Sequence, residues 1–154
     1  MSADLPATFE SALLLVPHLQ VQNANAISSP MTWGFPSITA FVGLMAALER
    51  KLGAAAGLQF NGVGGVCHRV EAQTHRSYTH SFHLSRNPVR KDGSTAGIVE
   101  EGRIHLDISL VFDVSLSSKV ADDAARQQLA QTVADLLATM RIAGGSVIAP
   151  HTSR

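Results

Sequence analysis

Cysteine, tryptophan and tyrosine each occur once in this chain, and its formal charges cancel. Each shortage excludes something. The lone thiol, Cys67, cannot close an internal disulfide, and a metal site built on paired cysteines lacks its second member. A reducing compartment is therefore expected. Twelve cations against twelve anions exclude a broad basic face of the kind that coats duplex DNA, although local patches are allowed. Long hydrophobic runs are missing too. The longest early one, Ala12-Leu13-Leu14-Leu15-Val16, falls far short of the about 20 residues that span a bilayer. It follows Asp4 and Glu10 instead of a basic leader, so the expectation is a soluble cytoplasmic protein without a secretory signal and with no membrane partner. Neither an internal repeat nor a low-complexity tract is present.

What the chain does have is apolar residues, 45% of 154, enough for one core and a single domain. Residues 1–10, with Pro6, read as a flexible leader, residues 11–150 as the domain and residues 151–154 as a tail. Ser11 to Gln22 reads as a buried strand in which Pro17 forces a bend or bulge. Ser37 is placed to cap a helix whose apolar positions are Ile38, Phe41, Val42, Met45, Leu48 and Leu52, with Gly53 as its stop. Residues 58–73 read as a strand broken by Gly62, Gly64 and Gly65. A bulged strand is favoured over a phosphate cradle, because no Walker lysine follows and no helix opens there.

From 103 to 116 the alternation is clean. Ile104, Leu106, Ile108, Leu110, Phe112, Val114 and Leu116 share one face, opposite a mostly polar one, as in a strand with one wet side. Asp122 or Asp123 then begins a second helix with the stripe Leu129, Val133, Leu136, Leu137 and Met140. Arg141 complements its dipole, and Gly144 is placed to end it. Ser146–Ala149 supplies a last strand. The order βαββαβ is that of a ferredoxin-like or RRM-like α+β fold. Such a fold has an antiparallel sheet with two helices on one face and the other face free, here with a long basic loop or hairpin inserted at 74–102.

That insertion concentrates charge. Between residues 68 and 91, Arg69, Arg76, Arg86, Arg90 and Lys91 stand against Glu71 alone, an excess of four positive charges. Tyr78, Phe82, His68, His75, His80 and His83 lie among them. Cations spaced along a backbone with rings for stacking suit single-stranded RNA; a solvated loop explains the same pattern. Asn23, Asn25, Ser28 and Ser29 present amides and hydroxyls that can read base edges or a 2′-OH, or simply form an ordinary turn. Gly144 and Gly145 allow close approach of a phosphate, or a helix cap. His75, Tyr78 and His80 hold the residue types for metal-independent RNA cleavage, while the spacing of His75, His80 and His83 matches no familiar metal motif, so no metal and no cofactor are expected. Trp33 and Phe35 read as core or loop-anchoring residues.

Four stretches carry a resemblance. Val21-Gln22-Asn23-Ala24-Asn25-Ala26-Ile27-Ser28-Ser29-Pro30 runs into Thr32-Trp33-Gly34-Phe35-Pro36. Gly62-Val63-Gly64 leads to Cys67-His68-Arg69. Asn87-Pro88 passes through Asp92-Gly93-Ser94-Thr95-Ala96 to Val99-Glu100-Glu101-Gly102-Arg103, and Arg141-Ile142-Ala143-Gly144-Gly145-Ser146 comes last. In this order they resemble the second-subunit family of the Csy complex, a RAMP-superfamily branch of the type I-F CRISPR surveillance complex. The family is longer, so the resemblance covers nearly all of this chain but only the first half of a typical member; a fragment or a short form with an altered role is an alternative. The resemblance implies a non-catalytic subunit that binds the 5′ handle of CRISPR RNA. It would pair with the large subunit, help seat the first backbone subunit and meet target DNA through the complex. It adds Gln22 to the RNA-facing residues and favours RNA contact for Asn23, Asn25, Ser28, Ser29, His68, Arg69, Arg76, Arg86, Arg90, Lys91, Gly144 and Gly145. A RAMP-fold endoribonuclease acting on repeat RNA is the competing expectation.

Overall fold

A computed structural model describes residues 9–148. The expected tail, the expected strand end at Ala149 and most of the expected leader fall outside these residues; Glu10 already belongs to the first strand. Four antiparallel strands carry the fold: β1 (Glu10–Asn25), β4 (Leu58–Ala72), β8 (Arg103–Leu116) and the shorter β10 (Gly145–Ile148), which with β9 (Arg141–Ile142) stand in the order β4-β8-β1-β10-β9. Two helices, α1 (Ile38–Leu52) and α2 (Asp123–Ala138), complete an α+β architecture.

The core is built on β8. Every even-numbered residue from Ile104 to Leu116 is buried, and these side chains share one cluster with Phe41, Leu44 and Leu48 of α1 and Val133 and Leu137 of α2. Both helices therefore cover the same face of the sheet. Each apolar side chain so buried stabilises the fold by about 1.5–3 kcal/mol. The stripe on α1 is rotated from the expected one: Leu44 is buried, whereas Ile38 and Val42 face solvent. Asp122 caps α2 by accepting from the Ala125 N–H at 2.6 Å, but the Ser37 hydroxyl bonds Thr39 and not the helix backbone.

The end of α2 differs from the expectation. Thr139 closes the helix, its hydroxyl donating to the Leu136 carbonyl at 2.7 Å. Arg141 and Ile142 then turn into β9, with Ile142 buried in the core. Gly144 is thus not a helix stop and Arg141 not a dipole partner. Ala143 (φ 49°) and Gly144 (φ 76°) form the two-residue loop between β9 and β10, with the two consecutive positive φ angles of a type I′ hairpin.

Two bulges in β1 reshape the surface of the main sheet. Pro17-His18 opposes Ser109, and Gln22-Asn23 opposes His105. At each, a non-glycine residue adopts positive φ, 49° at His18 and 55° at Asn23, a conformation that survives where the surroundings hold it. Here β8 does so with side chains: the His18 N–H donates to Ser109 Oγ at 3.1 Å, and the Asn23 N–H to His105 Nδ1 at 3.2 Å. The Pro17 bend was expected; the second bulge was not. β4 is bulged as well, at Asn61 next to Gly62 and at His68, three residues past Gly65, and not on the glycines themselves.

The inserted segment is more ordered than a loop. β5 (Thr74–Arg76), β6 (His80–Arg86) and β7 (Ile98–Glu101) form a separate three-stranded sheet. It meets the main sheet at Gln73, whose N–H donates to the Arg103 carbonyl, and at Gly102, whose carbonyl accepts the Ala26 N–H, each at 2.8 Å. A Cβ on Gly102 would stand 2.8 Å from Ile27 Cγ1, so a larger residue at this junction has to displace the Ile27 side chain. The hairpin of β2 (Ile27–Ser29) and β3 (Thr32–Trp33) braces it from the side. Trp33 is 51% exposed and so is not core; its ring packs edge-to-face on Phe82 of β6 with centroids 5.0 Å apart. Phe35 stacks on Phe41. No helix among the described residues is long and apolar enough to cross a membrane.

Candidate nucleic-acid interface

Three elements enclose a cleft of about 490 Å³. The second bulge of β1 contributes Gln22 and Asn23, the small sheet His83 and Glu101, and the β9–β10 turn Arg141 and Gly144, with Arg103 at the junction. Its volume lies within the range of sites that take a small molecule or a nucleotide, about 300–1,000 Å³. The bulge is what turns Gln22 and Asn23 out of strand alternation toward this space.

Electrostatics inside the cleft are uneven. Arg103 donates through Nε to Glu101 Oε2 at 2.9 Å and through Nη1 to the Asn23 carbonyl at 3.3 Å, so its charge is largely answered within the protein. Arg141 donates to the Gly144 carbonyl at 3.1 Å and meets no carboxylate among the described residues, which leaves it as the cation available to an anion.

The residues expected to face RNA divide into three groups. Gln22, Asn23 and Gly144 line the cleft. Asn25, Ser28 and Ser29 are engaged in their own turn: Asn25 accepts the Ile27 N–H at 3.1 Å and donates to its carbonyl, Ser28 donates to the Thr32 carbonyl, and Ser29 accepts the Met31 N–H. Gly145 is buried, and a Cβ there would fall 2.6 Å from the Gln22 carbonyl oxygen, so it serves strand pairing. Arg69 pairs with Glu71 at 3.2 Å and lines a smaller depression that also contains Gln22. His68 turns instead toward Ser109, 2.7 Å away.

Arg76, Arg86, Arg90 and Lys91 are exposed and make no ion pair among the described residues. Their surroundings are less basic than the 68–91 window implies. β7 runs beside β6 and sets Glu100 opposite Leu84 and Glu101 opposite His83, so from 74 to 102 four cations face Asp92, Glu100 and Glu101. In the loop between them the Ser94 hydroxyl and N–H hold the Asp92 carboxyl below the usual carboxylate range. Arg103, Arg141 and Gln73 were missed as cleft residues, and His83 was read only as a ring for stacking, since their convergence depends on register and no local spacing reports it.

The fold and the cleft together define a two-layer α+β module that carries a polar cleft beside a sheet face that no helix covers among the described residues. The chain belongs to the family of CRISPR-associated proteins designated Cas_Csy2, whose model matches residues 14–154. It is 49% identical over 147 residues to the CRISPR-associated protein Csy2 of Pseudomonas aeruginosa (strain UCBPP-PA14). That match covers 94% of this chain and 44% of the relative's length.

Proposed function

We propose that the chain is a non-catalytic subunit of the type I-F CRISPR surveillance complex that holds the 5′ handle of CRISPR RNA. In this reading its sheet is a ferredoxin-like RAMP sheet, and the protein works in the cytoplasm. It pairs with the large subunit and seats the first backbone subunit. Target DNA is met through the assembled complex, with sequence selection left to guide pairing. Family membership supplies the setting. The observation that carries the RNA contact is the cleft itself, where the side chains of Gln22 and Asn23 lie beside Arg141. Amides suit base edges and the 2′-OH, and an unanswered guanidinium suits a phosphate. The exposed cations of the small sheet extend the path along the backbone.

The test is fluorescence anisotropy with a repeat-derived 5′-handle RNA across a salt series. Binding is expected to weaken as salt rises, with a log–log slope of about 0.7 per phosphate neutralised. Arg141→Ala is expected to weaken binding and lower that slope by about one contact. Salt-independent binding, or an Arg141→Ala variant that binds as the parent does, would refute the cleft as the RNA seat. The endoribonuclease reading has weaker support. His75 lies opposite Ser81 and His80 opposite Arg76, so strand alternation sends the two imidazoles to opposite faces of the hairpin. They do not flank one phosphate there.

A further inference from the structure

On the helix-free face of the main sheet three residues distant in sequence meet. His18 Nδ1 lies 3.0 Å from Asp107 Oδ1. The His68 ring stacks on that of His18 with centroids 4.3 Å apart. One donor atom from each of His18, His68 and Asp107 falls within 4.8 Å of the others. Beneath them Ser109 is buried, its hydroxyl oxygen 2.7 Å from His68 Nε2 and accepting the His18 N–H.

The backbone brings these groups together. His18 and His68 both stand at bulges, on the two strands that flank β8, and each bulge falls beside the Asp107–Ser109 stretch. Regular pairing would leave them in ordinary alternation; the bulges re-aim them. His18 also holds its positive φ at this point. The nearby cation Arg69 is drawn off by Glu71.

We propose that His18, His68 and Asp107 bind a divalent transition-metal ion of the zinc class, linking β1, β4 and β8 across the open sheet face. Two imidazole nitrogens and one carboxylate oxygen are a donor set that zinc takes, whereas magnesium and calcium prefer oxygen alone. Bond lengths of about 2.0–2.1 Å place tetrahedral donors about 3.3 Å apart, and the His18–Asp107 pair already stands at 3.0 Å. The ion replaces the proton those two atoms share. His68 completes the set by turning its ring out of the stack. In the metal-bound form Nε2–H donates to Ser109 Oγ, 2.7 Å away, and Nδ1 carries the ligating lone pair. The side chains of His18 and Asp107 are 64% and 27% exposed, and the ion therefore exchanges with solvent and keeps a coordination position open. This proposal is independent of RNA binding.

The test titrates the untagged full chain with cobalt(II) as an optical probe for zinc, and records melting with zinc or magnesium. One cobalt per chain is expected, with a visible ligand-field band, and a rise in melting temperature with zinc but not magnesium. His68→Gln and Asp107→Asn, which keep size, are each expected to abolish the band and lower affinity at least about tenfold. A His75→Ala/His80→Ala/His83→Ala variant is expected to retain both signals. Three results would overturn the site: no band and no zinc shift in the parent chain, both signals surviving in His68→Gln and Asp107→Asn, or their loss in the triple variant.

Discussion

In the main sheet the central strand β8 buries every second side chain against two helices, whereas in the small sheet no residue of β5, β6 or β7 is buried. The first is held by apolar area removed from water. The second is held by its ladder, by the glycine junction at 102 and by one aromatic contact to Trp33. Stability is thus unevenly distributed, and the cleft lies where the well-held part meets the loosely held part. A site of this kind can keep one wall fixed while the other adapts, since local opening draws on weakly packed segments.

The largest expected effect tests the strong side. Phe112 is fully buried and packs edge-to-face on Phe60, so Phe112→Ala is expected to cost about 3–5 kcal/mol in urea unfolding. A loss below about 1 kcal/mol would place the core elsewhere. Next, Trp33→Ala removes an edge-to-face pair worth about 0.5–1.5 kcal/mol. Hydrogen exchange is expected to quicken across 74–102 while residues 104–116 keep their protection. Equal loss in both would mean that the two sheets open as one unit.

The smallest effect concerns Cys67. Burial raises its thiol above the usual range, against a smaller lowering by a hydrogen bond with the Arg69 backbone, and the charge of Asp107 adds to the rise. The folded protein thus holds less thiolate at a given pH than the unfolded chain. Alkylation at neutral pH is expected to be slower than in denaturant, and Asp107→Asn to speed it slightly. A rate equal to that of a free thiol would contradict this environment.

Much of the fold can be read in advance because β8 separates a dry face from a wet one, and period-two alternation reports that directly. The stripe of α2 is legible for the same reason. Arg141 and Ile142 are not, because a two-residue strand has no period and comes after a helix without a break in polarity. The charge reading misled through its window, which stopped at Lys91 and so left out Asp92, Glu100 and Glu101. Gln22, Asn23 and Gly144 do line the cleft, whereas Asn25, Ser28 and Ser29 are engaged in ordinary turn chemistry. The meeting of His18, His68 and Asp107 spans 89 residues and depends on bulges, which composition does not announce.

The rim strand β4 bears on how the molecule meets its neighbours. As an outermost strand of the main sheet it leaves one edge of Leu58–Ala72 without a strand partner among the described residues, although Glu49 takes the Phe60 N–H; such an edge is the usual invitation to a stray strand. The extra residues at Asn61 and His68 interrupt that edge, so an incoming straight strand stays in step only over the few positions between them. Irregularity at the rim therefore works as a guard against unplanned stacking of one copy on another.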